Sequence, residues 1–209
     1  MEILFKDQHI VVCIKPSGVL SASDISGSKN MTDMLKDEVG VAQVYPIHRL
    51  DREVSGVMVY ALSKSAADKL SADCSEKDRF KKVYYAVCSG TPTEQRGVFE
   101  DLLFKDTKRS KSFVVDKMRK GVKTAKLEYE VLESLEDKCL VKISLITGRT
   151  HQIRVQFASR KMPLIGDRKY GGEKSEKGLA LRSVTLTFYH PVTKERLSFE
   201  KIPEIAEMI

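Results

Sequence analysis

The densest polar cluster of the chain is His48-Arg49-Leu50-Asp51-Arg52-Glu53-Val54-Ser55-Gly56, set between Tyr45-Pro46 and an apolar run from Gly56 to Leu62. A loop at the entrance to a buried strand is a good mount for a reactive group. Asp51 lies between Arg49 and Arg52, and neighbouring cations favour a charged carboxylate. An ionised Asp serves as nucleophile or general base; a salt-bridged Asp-Arg turn is the reading without chemistry. A second cluster is Thr147-Gly148-Arg149-Thr150-His151-Gln152-Ile153-Arg154. Here a Thr-Gly turn feeds a helix N-terminus, where backbone N–H groups attract anions. His151 and Arg154, three residues apart, are expected on one helix face, with Arg149 and Arg154 able to hold a phosphate or carboxylate. The plain alternative is an amphipathic helix with solvated basic residues.

Charge singles out a third region. The formal net charge is +7 over 209 residues. Residues 105–126 hold nine basic side chains (Lys105, Lys108, Arg109, Lys111, Lys117, Arg119, Lys120, Lys123 and Lys126) against Asp106 and Asp116, so the whole net charge sits in this segment. A basic patch on a balanced body favours a polyanion; a solvated hairpin tip is the alternative. Several familiar sites are missing: there is no Gly-x-x-x-x-Gly-Lys, Gly-x-Gly-x-x-Gly, His-Glu-x-x-His or Gly-x-Ser-x-Gly. His48, Asp51 and His151 carry no recognised metal-ligand spacing, so no metal is expected. His9 and His190 stand isolated and read as structural or exposed.

The elements that must position these groups follow from periodicity. Glu2–Phe5 and Ile10–Ile14 read as strands, followed by a Lys15-Pro16-Ser17-Gly18 turn and a Ser/Asp/Gly-rich loop over 21–30. Thr32 is expected to cap a helix from about Asp33 to Glu38. Gly56–Leu62 is a buried strand, Ser65–Ser75 a helix, and Lys82–Ser89 and Val98–Phe104 strands, with a hairpin in the basic segment. Ala125, Leu127, Tyr129 and Val131 alternate with Lys126, Glu128 and Glu130, and Val141, Ile143 and Leu145 share a face, which marks two half-buried strands. Thr150–Arg160 reads as a helix and Val184–Phe188 as a further strand. Many strands with few helices and no βαβ rhythm indicate an α+β fold with a mainly antiparallel sheet.

Length favours a single domain over residues 1–209. No apolar run approaches the roughly 18–20 residues of a membrane span, and the N-terminus lacks a signal-peptide pattern. Cys13, Cys74, Cys88 and Cys139 form no Cys-x-x-Cys pair, which argues against a disulfide framework or zinc ribbon and suits a reduced, cytoplasmic setting.

Taken together, these residues resemble the RluA-type pseudouridine synthases. The matching segments are Ile10–Gly18, His48–Gly56, Lys82-Val83-Tyr84-Tyr85-Ala86-Val87, Thr147–Arg154, Pro163-Leu164-Ile165-Gly166-Asp167, Leu179-Ala180-Leu181 and His190-Pro191. They cover about residues 3–203, and the His-Arg-Leu-Asp block together with Gly-Arg-Thr-His-Gln-Ile-Arg is the specific part. The resemblance implies a catalytic domain built on a mixed, largely antiparallel central sheet with flanking helices and loops. It implies isomerisation of uridine in RNA, the base being detached, turned and rejoined through carbon, with no metal or organic cofactor. It places the catalytic aspartate at Asp51, a tyrosine that stacks on the target base at Tyr84, the basic partner of the aspartate at Arg154 and an apolar lining residue at Leu181. Arg49 corresponds to an arginine that occupies the gap left by a flipped nucleotide.

Arg52, Arg149, His151, Lys108, Arg109, Lys111, Arg119 and Lys120 are further candidates for RNA contact. Ribosomal and transfer RNA are both open, with ribosomal RNA placed first. A monomer with no obligate protein partner is expected, as is the lack of a separate N-terminal RNA-binding domain. Three positions depart from the family pattern. Val54 replaces Thr at an expected packing position; Gln156 replaces a frequent His, and Arg182-Ser183 replaces His-Ala, both expected near the pocket rim. Two other functions compete: a non-catalytic RNA-binding protein on the same fold, and a metal-dependent hydrolase using His48, Asp51 and His151.

Overall fold

The computed structural model describes residues 1–76 and 78–209. In chain order the elements are β1 (Glu2–Lys6), β2 (Ile10–Lys15), α1 (Met31–Val39), β3 (Tyr45–Pro46), β4 (Ser55–Ala61), α2 (Lys64–Asp73), β5 (Phe80–Ser89), β6 (Arg96–Asp106), β7 (Lys111–Val115), β8 (Val122–Leu135), β9 (Lys138–Leu145), α3 (Gln152–Ser159), β10 (Leu181–Tyr189) and β11 (Arg196–Glu200), with a 3-10 turn at Ile205–Glu207. The expected α+β, largely antiparallel class is what forms. The chain divides into two compact units: Met1–Lys82 with Ser183–Ile202, and Val83–Arg182 with Pro203–Ile209.

In the first unit the strand order is β1-β2-β4-β10, with β11 added to β10 and β3 to β4. β2 and β4 are near-continuous apolar runs, buried almost throughout, and they pair antiparallel from Ile10↔Ala61 to Lys15↔Gly56. Such runs need cover on both faces. Helix α2 packs Ala66, Ala67 and Leu70 into the cluster of Ile10, Val12, Val57, Val59, Ala61, Phe80, Leu186 and Phe188. Ser63 caps this helix by accepting the Ala66 N–H. The cap of α1 is Asn30, not Thr32. Asn30 has extended backbone and its Oδ1 accepts the Asp33 N–H at 3.0 Å, while the buried Thr32 hydroxyl donates to the same oxygen at 2.6 Å. Gly56 opens β4 at φ 131°, and a Cβ there would lie 2.1 Å from the Ser183 carbonyl oxygen. Only glycine allows the loop bearing Asp51 to enter the strand this close to β10.

In the second unit the order is β5-β9-β8-β6-β7. β6 pairs β8 from Arg96↔Glu130 to Phe104↔Val122, and β7 folds back on β6 as the expected basic hairpin. Along β8 the side chains of Ala125, Leu127, Tyr129 and Val131 are buried, as their alternation predicts. Helix α3 lies over this sheet: Phe157 stacks edge-on to Phe99 with ring centroids 5.1 Å apart, and Val155 joins Leu103 and Ala125. The expected helix is present but is not amphipathic. Six of its eight residues are buried, because the three polar ones among them are paired inside: Gln152 with the Lys126 carbonyl at 3.1 Å, Arg154 with Asp167, and Gln156 with Asp101 at 2.7 Å.

Candidate active site

Asp51 is half-buried, and the backbone on either side of it is fixed. Before it, the buried Ser21 hydroxyl accepts the Leu50 N–H at 2.9 Å and donates to the Leu50 carbonyl at 2.8 Å. Ser21 is itself held through its carbonyl, which accepts from the Tyr60 hydroxyl at 2.9 Å. After Asp51, the Arg52 carbonyl accepts from the Gly18 N–H at 2.8 Å and from Lys15 Nζ at 3.1 Å. Lys15 Nζ also donates to the carbonyls of Pro16 and Val19 at 2.9 and 2.6 Å. The Ser17 hydroxyl donates to the Glu53 carbonyl, and the Asp51 carbonyl closes the turn by accepting the Val54 N–H at 3.0 Å. Two loops, 15–21 and 48–55, are thus laced together around one carboxylate.

The side chains of this loop divide by role. Lys15 is fully buried, and burial pulls its ammonium down to about 8 against the opposing pull of the Asp51 charge. His48 is buried with Nε2 facing the Val59 N–H at 3.4 Å and its ring edge-on to Phe80. Burial, aided by Lys82, drives its pKa down to about 3, so the imidazole is neutral. A ring turned into the core with Nε2 engaged by backbone is a packing group, which weighs against the metal-hydrolase reading. Arg49 is exposed; Arg52 donates Nε to the Gly18 carbonyl at 3.0 Å. Val54 is buried, as a packing position should be.

In the second unit, Tyr84 is 5% exposed on β5, opposite Ile143 on β9, and Leu181 is buried at the start of β10. Arg154 is 2% exposed and forms a two-point ion pair with the fully buried Asp167, at 2.7 and 2.8 Å. Bidentate geometry is the strong form of this contact. Arg149 donates Nε to the Thr124 carbonyl, and its N–H goes to Gln152 Oε1. His151 does not share a helix face with Arg154. It is the N-cap, in left-handed backbone at φ 53°, with its ring hydrogen-bonded to Tyr170. Lys108, Arg109, Arg119 and Lys120 are exposed on or beside the hairpin, Arg119 lying over Phe104, while Lys111 is half-buried.

Gln156 is fully buried rather than at a rim, since its amide serves Asp101. Arg182 donates to the Leu179 and Leu181 carbonyls, and the buried Ser183 hydroxyl donates to that of Val57. Three supporting residues had no role in the sequence reading. Lys15 reads in sequence as the first residue of a Lys-Pro-Ser-Gly turn, whereas the structure places it as the last residue of β2 with its side chain buried. Asp167 and Tyr170 lie in a Gly-Asp-Arg-Lys-Tyr-Gly stretch whose signal is Gly166: at φ 77° a Cβ there would sit 1.8 Å from the Gly178 carbonyl oxygen, so a tight turn is forced beside Asp167.

The chain matches the family model described as RNA pseudouridylate synthase over residues 9–159. It is 34% identical over 203 residues to the dual-specificity RNA pseudouridine synthase RluA of Escherichia coli strain K12, covering 95% of this chain and 91% of that protein. It is 33% identical over 221 residues to YlyB of Bacillus subtilis strain 168, an RNA pseudouridine synthase described as uncharacterized, covering 100% of this chain and 72% of the relative. The solved structure of human RNA Pseudouridylate Synthase Domain Containing 4 superposes with a TM-score of 0.78 at 25% identity, over 98% of this chain and 89% of that one. The matched span contains Asp51, Tyr84 and Arg154, and the likeness extends through the α+β architecture: the chain belongs to the RNA pseudouridylate synthase family, on its RluA-type branch.

Proposed function

We propose that this chain is an isomerase that converts uridine in RNA to pseudouridine, with Asp51 as its catalytic residue. The observation that carries the reading is the loop around Asp51, whose flanking peptides are held by Ser21 on one side and by Lys15 and Gly18 on the other, inside the family match. Such backing suits a group that must meet one reacting atom within a fraction of an ångström. The reaction breaks the bond from N1 to the ribose, forms one from C5, and moves the C5 proton to nitrogen, so no atom is gained or lost. Asp51 attacks the anomeric carbon, adds to the pyrimidine ring, or takes a ribose proton; all three routes use an ionised carboxylate. A uridine must first leave its stack, which costs about a few kcal/mol and least in loops.

Tyr84, Arg154 and Leu181 take the roles their family positions imply, Tyr84 offering a π-face that suits any pyrimidine. Arg49 fills the vacated stack, and Lys108, Arg109, Lys111, Arg119 and Lys120 follow the phosphates. Among the described residues no helix is long and apolar enough to cross a membrane. We place the protein in the cytoplasm as a single catalytic module and a monomer. Presence of Asp51, Tyr84 and Arg154 together disfavours a binding-only role. The test is pseudouridine mapping across ribosomal and transfer RNA in cells with the gene, without it, and with Asp51→Asn. Loss of the same sites in the last two supports the assignment. Full modification by Asp51→Asn protein overturns it.

A further inference from the structure

Tyr170 is the point where the basic hairpin and helix α3 meet. Its hydroxyl accepts the Ser112 N–H of β7 at 2.8 Å and shares a hydrogen bond of 2.9 Å with His151 Nδ1 at the start of α3. Its ring carries Lys111 Nζ at 4.9 Å and the Arg154 guanidinium at 5.4 Å, and meets the His151 ring edge-on at 84°. Its own N–H donates to Asp167 Oδ1 at 3.2 Å, the carboxylate that grips Arg154. A second link runs the same way, from the Ser112 hydroxyl to the Thr150 carbonyl at 2.7 Å.

Two features say that this junction does more than fill space. His151 is a non-glycine residue held in left-handed backbone, a state that persists only where its surroundings over-determine it. Tyr170 provides that restraint from the side chain. In addition, one ring faces two cations from different elements, one on the strand expected to follow phosphates and one buried beside Asp167. Each cation alone gains little from an aromatic face, but a shared face fixes their separation.

We propose that Tyr170 is a positioning residue that sets His151 and Arg154 relative to the hairpin, so that RNA held by the hairpin is presented to a pre-aligned α3. The proposal deepens the functional reading above and rests on it for its kinetic part. Tyr170 touches no reacting atom; it acts through His151, Arg154 and the Ser112 amide.

The test uses Tyr170→Phe in the full chain, which keeps the ring and removes the hydroxyl. Three quantities are read: the single-turnover rate at saturating RNA, using unmodified transcripts of the RNAs found modified in cells; the salt dependence of binding the same transcripts; and amide exchange at Ser112 with the imidazole nitrogen shifts of His151. The expected result is a rate lower by roughly tenfold, the scale of one buried hydrogen bond. The salt slope should be unchanged, since no phosphate-binding charge is removed, while Ser112 exchanges faster and the His151 shifts move. A wild-type rate per folded molecule overturns the positioning role, as does unchanged Ser112 exchange with unchanged His151 shifts. Tyr170→Leu, which also removes the ring, should slow the rate further; a rate equal to that of Tyr170→Phe removes the shared-ring part. If the wild-type chain forms no product on any transcript, the functional reading fails. Ser112 exchange and the His151 shifts then decide the junction alone, unchanged values overturning it and altered values supporting it.

Discussion

The Asp51 loop and the basic hairpin are both polar, both outside the apolar core, and built on opposite principles. The loop spends buried groups on one backbone position: Ser21, Tyr60 and Lys15 are each nearly or wholly inaccessible, and their hydrogen bonds end on Leu50, Ser21 and Arg52. The hairpin turn leaves Lys108 and Arg109 in solvent, and the loop from β7 to β8 does the same for Arg119 and Lys120. Its ion pairs are exposed or loose, such as Arg109 with Asp106 at 3.7 Å, and contribute little to stability. A bond-making carboxylate needs a fixed place, and low tolerance for displacement demands burial behind it. A polyelectrolyte is attracted over a Debye length, so charge density suffices and rigidity adds little. Changes behind the loop or under α3 should therefore alter folding and rate, and changes on the hairpin should alter salt-dependent binding.

The largest expected effect lies under α3. Asp167→Asn keeps the shape but removes the charge opposite a guanidinium that is 2% exposed. Loss of a buried partner of this kind costs about 3–5 kcal/mol, read as a fall in urea midpoint. A change under about 1 kcal/mol, the scale of an exposed pair, would show that the pair is not what fixes Arg154.

The next effect is confined to acid. His48 has its pKa lowered from 6.5 to about 3 by burial. The unfolded chain therefore binds a proton that the folded one refuses between these values. The contribution is fully present above pH 6.5 and is lost as pH falls toward 3, reaching up to about 4 kcal/mol at the acid end. His48→Leu should flatten the stability profile over pH 6.5–3, measured by urea unfolding at fixed pH steps. An unchanged acid slope would move the protonation elsewhere.

Much of this was legible in sequence for a physical reason. Period-2 alternation over Ala125, Leu127, Tyr129 and Val131 reports a sheet with one covered face, and the charge of 105–126 reports a hairpin that water must reach. Pairings between residues far apart in sequence were not legible. Nothing local says that Ser21 holds Leu50, that Arg154 turns to Asp167, or that Tyr170 braces His151, because each depends on which loops the topology brings together. The alternative of a solvated α3 falls for the same cause: Arg154 and Gln156 look polar until their buried acids, Asp167 and Asp101, are in place. Asn30 displaced Thr32 as cap because both can accept an amide proton, and the choice is made by backbone angles at Asn30.

Ser21→Ala sharpens the loop side of the comparison at a smaller scale. It deprives the Leu50 N–H and carbonyl of one shared partner, which costs about 1–3 kcal/mol where both are buried. If the loop serves position, the single-turnover rate should fall by about tenfold or more with RNA affinity unchanged. Weaker binding at an unchanged rate would instead place the loop in docking.

The smallest effect belongs to the hairpin and is the most diagnostic. Lys108→Ala and Lys120→Ala each remove one solvent-exposed charge. Stability should stay within about 0.5 kcal/mol of wild type, and the saturated rate should hold. The logarithmic salt slope of RNA binding should become shallower by about 0.7–0.9 for each phosphate that is no longer neutralised, the lower value for single strands. Lys120→Arg keeps the charge and should keep the slope. A fall in saturated rate with an intact slope would mean that the hairpin aligns the reacting nucleotide, because a group that only attracts phosphate cannot change a rate measured with every enzyme already bound.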